Sequence, residues 1–117
     1  MLDRLGIGID IVEIKRFSSK PYDVNMNFYK KIFHESEINY CLDQKNFAEC
    51  FAGKFAIKES VIKSIPTKIS FHDILIEYSN SKPVVILIGD SSYSFLVSLT
   101  HEKLYAVSVV ISEKLKS

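Results

Sequence analysis

Arginine is nearly missing from this chain of 117 residues: Arg4 and Arg16 stand against thirteen lysines. Planar, two-pronged recognition of phosphate or carboxylate is therefore confined to two positions, and other cationic contacts are point charges. An excess of one sign of charge is missing too. Fifteen Lys/Arg and 14 Asp/Glu leave a net +1, which excludes a broadly basic module for nucleic acid or a membrane surface. No apolar run approaches about 18 residues, so no transmembrane helix is expected. The start has no charged segment followed by an apolar stretch and cleavage site, because Asp3 and Asp10 interrupt it. The expectation is a cytoplasmic protein with neither nucleic acid nor membrane as a partner. Cysteine is scarce as well. Cys41 and Cys50 are nine apart, only His34, His72 and His101 could join them, and no zinc pattern results. Buried, reduced thiols are the expected state.

What is present is ordinary for a globular domain: 47% apolar and 25% charged residues. One domain over 1–117 is expected, with a core that needs no disulfide or structural metal. Residues 5–12 alternate with period two, Ile7, Ile9 and Ile11 on one face and Gly6, Gly8, Asp10 and Val12 on the other. Short helices are expected over 12–19, within 25–33 and from Ser36–Glu37 onward. The strongest helix signal runs from 46 to 65 and stops at Pro66. Strands are expected over 70–78, 83–88, 94–100 and 105–111, the first two joined by a hairpin, with a polar tail from Glu113. No repeat, linker or low-complexity segment appears.

Three places do not read as plain structure. Asp10 lies in a strand beside Gly6 and Gly8, which keep the neighbouring surface low enough for a ligand or a second backbone. The alternative is a solvated edge-strand carboxylate or a cap of the next helix. On the long helix, Phe47, Ala48, Phe51, Ala52, Phe55 and Ile62 form one apolar arc. Glu59 sits at its border with Lys63 four residues on, and Lys58 projects into its middle. Singly, Glu59–Lys63 reads as a surface pair and Lys58 as a stem reaching for water. Together, a carboxylate and two ammonium groups there suit a metal-and-phosphate site. The third place is His101, among hydroxyl residues where a strand gives way to a connection. An imidazolium there suits phosphate, although a lone turn histidine is commonly incidental.

Gly6-Ile7-Gly8-Ile9-Asp10-Ile11-Val12-Glu13, Phe51-Ala52-Gly53-Lys54-Phe55-Ala56-Ile57-Lys58-Glu59-Ser60 and Ser98-Leu99-Thr100-His101, in this order and spacing, resemble holo-acyl-carrier-protein synthase. That family is the small bacterial-type branch of the 4′-phosphopantetheinyl transferases, and the likeness runs from residue 6 to about 111. It implies an α+β fold: a single domain with one long central helix packed on an antiparallel-rich sheet. The implied activity is transfer of the 4′-phosphopantetheine arm of coenzyme A to a serine of apo acyl carrier protein, as fatty acid biosynthesis requires. Adenosine 3′,5′-bisphosphate leaves. The implied Mg²⁺ ligands are Asp10 and Glu59, a donor set that suits a hard cation. Lys54, Lys58, Lys63, Thr100 and His101 are implied contacts of coenzyme A, Lys63 together with Asp10 and Glu59 forming the catalytic set. The proton acceptor is Glu59 or a metal-held water. Lys15, Arg16 and Lys20 are implied to dock the carrier protein, and a homotrimer with sites at subunit interfaces is expected.

The chain departs from the family where a Gly-Thr-Gly loop normally follows the long helix, reading Ser64-Ile65-Pro66-Thr67-Lys68 instead. Lys54 stands at a position usually held by arginine, and the segment after Arg16 is poor in arginine. Two other classes remain: a non-catalytic domain binding coenzyme A or carrier protein, and a different phosphoryl-transfer enzyme such as a nucleotide hydrolase. No P-loop supports the latter.

Overall fold

The computed structural model describes residues 2–115. After a 3₁₀ turn at Leu2–Arg4 come β1 (Leu5–Glu13), α1 (Lys15–Ser18), a turn at Tyr22–Val24, α2 (Met26–Lys30) and α3 (Glu35–Leu42). The long helix α4 (Phe47–Ser64) follows, then a turn at Phe71–Asp73, β2 (Ile74–Ser79), β3 (Lys82–Leu87), β4 (Tyr93–His101) and β5 (Tyr105–Lys114). β1, β5 and β4 form one antiparallel sheet in that order, and β2 and β3 a separate hairpin. This is the expected α+β arrangement of a central helix on an antiparallel sheet.

Several boundaries differ from expectation. The strand through Asp10 continues to Glu13, so the helix expected over 12–19 shrinks to Lys15–Ser18. Ser70 and Asp73 close a 3₁₀ turn where a strand start was expected: the Asp73 carboxylate accepts from Ser70 N at 2.8 Å and Ser70 Oγ at 3.1 Å. Glu113 and Lys114 belong to β5 rather than to a tail, and residues 116 and 117 of that tail lie outside the described residues.

α4 is enclosed almost all round, because the sheet covers one side and the smaller elements the other. Asn46 starts it, its side-chain oxygen accepting from Glu49 N at 3.1 Å. Against the sheet the helix meets small residues. A Cβ on Gly6 would stand 1.7 Å from the Ser64 carbonyl oxygen, and one on Gly8 1.9 Å from that of Ser60. The glycines therefore admit the backbone of α4, not a ligand. Ser112 Oγ donates to Ser64 O at 2.8 Å, and the Ser60 and Ser108 hydroxyls share a hydrogen at 2.5 Å.

Two apolar clusters sit around α4. Phe17, Tyr29, Phe33, Phe51 and Phe55 build an aromatic core, and Ile57, Val61, Ile74, Ile76 and Val110 build an aliphatic one. Cys41 and Cys50 lie beside the aromatic core and are joined in a disulfide, Cα atoms 5.4 Å apart. This corrects the expectation of reduced thiols. The end of α3 and the first turn of α4 fold back on each other, bringing within bonding range two sulfurs whose spacing matches no metal motif.

Candidate functional site

The close contact of β1 and α4 creates the site. Asp10 shares the glycine face of β1, and its side chain is only 13% exposed. Lys63, in the last turn of α4, donates to Asp10 Oδ1 at 2.9 Å and to the Ile9 carbonyl at 3.1 Å. Its partner is therefore the strand carboxylate, not Glu59 as an intrahelical pair would have it. Glu59 lies one turn earlier, half-buried. Burial pushes its carboxyl above the ordinary value, the Asp10 charge pushes the same way, and Lys63 and Arg16 pull it back. Arg16 is thus an electrostatic neighbour of the carboxylates. Its guanidinium stacks 4.6 Å from the centre of the Phe55 ring. Sequence reasoning had placed Arg16 only on a docking surface. Its place in the register next to α4 had no signal in spacing.

Lys15 is exposed in the same short helix, and the Lys20 ammonium sits 5.0 Å from the centre of the Phe28 ring. Of the three docking candidates, Arg16 is the one with an electrostatic contact to the carboxylates, through Glu59.

Lys58 is a correction. It is fully buried, and its ammonium donates toward Glu37 Oε1 at 2.8 Å, Ile32 O and Ile74 O at 2.9 Å, and Phe71 O at 3.1 Å. It neither reaches water nor is open to a phosphate. Glu37 is the residue the sequence reading missed. It is fully buried, accepting also from His34 N and Ile76 N at 2.7 Å. Lys54 is corrected likewise. At 1% exposure its ammonium lies 4.8 and 4.5 Å from the Tyr40 and Tyr78 ring centres and 3.5 Å from Ile76 O. Burial lowers its pKa to about 8, opposed mainly by Glu37. Both lysines hold α4 to its surroundings.

His101 is not brought to the carboxylates. Its Nδ1 lies 3.2 Å from Glu49 Oε2 in the first turn of α4, ten residues or roughly 15 Å of helix rise from Glu59. Beside it opens a cavity of about 400 Å³ lined by Tyr40, Asn46, Glu49, Cys50 and Leu99 among others. Thr100 takes the other face of β4. The alternation that turns Leu99 toward Gly53 of α4 turns Thr100 outward with Leu96. On that outer face Ile7, Ile9, Ile11 and Leu96 are each more than 60% exposed.

Among the described residues no group of three or more His, Cys, Asp or Glu side chains gathers as a metal cluster. Two carboxylates are what the chain itself assembles. No described helix is long and apolar enough to cross a membrane.

Residues 6–110 match the 4′-phosphopantetheinyl transferase superfamily. The chain is similar to a holo-[acyl-carrier-protein] synthase of Bacillus subtilis (strain 168), 39% identical over 119 residues, 96% of this chain and 98% of the relative. Its fold is similar to the crystal structure of a holo-(acyl-carrier-protein) synthase from Bacillus anthracis str. Ames in complex with CoA (3′,5′-ADP). The TM-score is 0.79 and the identity 32%, over 93% of this chain and 96% of that one. The Helicobacter pylori holo-[acyl-carrier-protein] synthase in complex with coenzyme A matches at TM-score 0.78 and 32% identity, over 92% and 99% of the two chains.

Proposed function

The chain belongs to the 4′-phosphopantetheinyl transferase superfamily, and on that premise we propose how its residues carry out the transfer. The enzyme is a holo-[acyl-carrier-protein] synthase: it moves 4′-phosphopantetheine from coenzyme A to apo acyl carrier protein. The observation that carries the reading is the convergence of Asp10, Glu59 and Lys63 from β1 and α4. Two carboxylates from different elements, that of Glu59 pushed up by burial and by the Asp10 charge, form an oxygen donor set that suits Mg²⁺. Bound there, Mg²⁺ would draw charge from the diphosphate oxygens of coenzyme A.

Lys63 already turns its ammonium toward this spot and supplies a second positive charge for the diphosphate. The serine hydroxyl of the carrier forms a new bond to the β-phosphorus, and the bond from that phosphorus to the bridging oxygen breaks. Adenosine 3′,5′-bisphosphate leaves with the bonding pair. Glu59, half-buried beside Asp10, takes the serine proton. Lys15, Arg16 and Lys20 guide the acidic carrier toward the same edge.

Thr100 and His101 complete the binding of coenzyme A from a neighbouring subunit of a homotrimer. The roughly 15 Å of helix between Glu59 and the His101 partner Glu49 and the exposed isoleucine face of β1 support a site shared across an interface. Contiguous apolar surface of this kind is unusual on a free monomer. The cytoplasm, where coenzyme A and carrier protein meet, is the proposed location.

Mass spectrometry tests the reading. With coenzyme A, Mg²⁺ and apo carrier protein, the carrier gains one phosphopantetheine arm; Asp10→Ala and Glu59→Ala each lose transfer while keeping the far-ultraviolet circular dichroism of the parent. Full activity in either variant would remove that carboxylate from the chemistry.

A further inference from the structure

We propose that Cys50 is a thiol-exchange site, and that the Cys41–Cys50 disulfide braces the cavity beside His101 so that its reduction weakens coenzyme A binding. The proposal rests on the reading that His101 contacts coenzyme A, which places part of that molecule at this cavity.

Burial singles out one sulfur. Cys41 is completely buried in the aromatic core, whereas Cys50 is half-buried and lines the cavity. A small thiol arriving through the cavity meets Cys50 and not Cys41. What the bond holds is equally specific. It ties the end of α3 to the first turn of α4 across nine positions. Within or next to that loop lie Tyr40, Gln44, Lys45, Asn46 and Glu49, half of the cavity lining. Glu49 holds His101, and Tyr40 stacks on Tyr78 with ring centres 4.7 Å apart, over the Lys54 ammonium. One covalent link therefore fixes the wall that presents His101.

The exchange balances without any further reactant. A thiolate of a small dithiol attacks Cys50 Sγ, forming a mixed disulfide. The Cys41–Cys50 bond breaks, and Cys41 leaves as thiolate and takes a proton from solvent. The second thiol of the reductant then attacks its own bonded sulfur and releases Cys50, which is protonated in turn. The protein gains two electrons and two protons, and the dithiol becomes a cyclic disulfide. After reduction the α3–α4 loop keeps its Tyr40–Tyr78 stack but must be re-ordered whenever a ligand seats against it.

The test uses the whole protein, oxidised or reduced with dithiothreitol; coenzyme A is titrated into each form by calorimetry without alkylation, and separate aliquots are alkylated with iodoacetamide only to count thiols. After reduction, alkylation of the folded protein is expected to label Cys50, and alkylation after subsequent denaturation to label both cysteines. The Kd for coenzyme A rises by roughly fivefold or more, the range that re-ordering one or two long side chains on binding produces. Cys50→Ser and Cys50→Ala should show the weakened Kd in both conditions, and reoxidation of the wild-type protein should restore the tight one. Equal Kd values for the oxidised and fully reduced wild-type protein would overturn the brace, as would failure of dithiothreitol to open the bond without denaturant. His101→Ala separates the brace from the reading beneath it. Weaker binding in both redox states supports the cavity assignment. If that variant binds as wild type while reduction still weakens binding, the assignment falls and the brace stands.

Discussion

Replacing Lys58 by methionine removes the ammonium from a fully buried position and keeps most of the stem's volume. Glu37 would then be an ionised carboxylate at 0% exposure with only the His34 and Ile76 amides as donors, and the carbonyls of Ile32, Phe71 and Ile74 would lose theirs. Removing one partner of a buried pair costs about 3–5 kcal/mol, against a total stability on the order of 5–15 kcal/mol for a domain. Glu37→Gln, which leaves the ammonium without its counter-charge, should cost a similar amount. The double variant should lose about 2 kcal/mol less than the two single losses combined, because neither charge is then stranded. Urea unfolding followed by circular dichroism measures all three, with unchanged slopes certifying that only stability moved. A Lys58→Met loss below about 1 kcal/mol, or additivity within about 0.5 kcal/mol, would refute the buried-pair account. The experiment also separates the two roles considered for Lys58. A phosphate ligand would lose coenzyme A affinity at unchanged stability, whereas the structural role predicts that stability falls first.

Gly8→Ala places a Cβ 1.9 Å from the Ser60 carbonyl. It should cost about 3 kcal/mol or more, read as a lower Tm together with lost transfer, since α4 carries Glu59; a Tm within a degree of wild type would refute the close contact. Lys54→Met should change the pH dependence of stability. Burial lowers the folded-state pKa of Lys54 to about 8 from 10.5, so the unfolded chain binds the extra proton between those values and wild-type stability rises as pH climbs through that window. The relief amounts to about 3 kcal/mol; the methionine variant should lack it, and parallel Tm curves from pH 7 to 10.5 would count against it. Ser81→Gly should stabilise by up to about 1 kcal/mol, because Asn80 and Ser81 carry φ of 52° and 67° in the β2–β3 turn, where glycine adopts such angles freely. An unchanged urea midpoint would show that the strain is relieved elsewhere.

How far these features could be read beforehand depended on whether they were local or across the fold. The alternation through Ile7, Ile9 and Ile11 and the Pro66 stop of the long helix are local, and both elements form close to where they were expected. The glycines beside Asp10 were legible as a close approach, but a ligand and a second backbone fit the same pattern; only the packing of α4 decides for the backbone. Lys58 was misread because helical projection gives direction and not what lies there. Its partner Glu37 is 21 residues away on another helix, and no spacing rule connects them. The disulfide was missed for the same reason, since it depends on α3 and α4 turning back on one another.

The two charged ladders of α4 explain one another. Lys54 and Lys58, four apart, point toward the enclosed side where Glu37 and the tyrosines wait; Glu59 and Lys63, also four apart, are displaced by five positions, about 140° around the helix. A buried ion pair tolerates little rotation, because turning the ammonium away strands both charges. The Lys58–Glu37 pair therefore sets the roll of α4 about its axis, and the glycine contacts set its height above β1. With both fixed, Glu59 has one direction left, toward Asp10. A roll of one residue would present Lys58 or Ser60 to that carboxylate instead, so the inner ladder secures the geometry that the outer one uses.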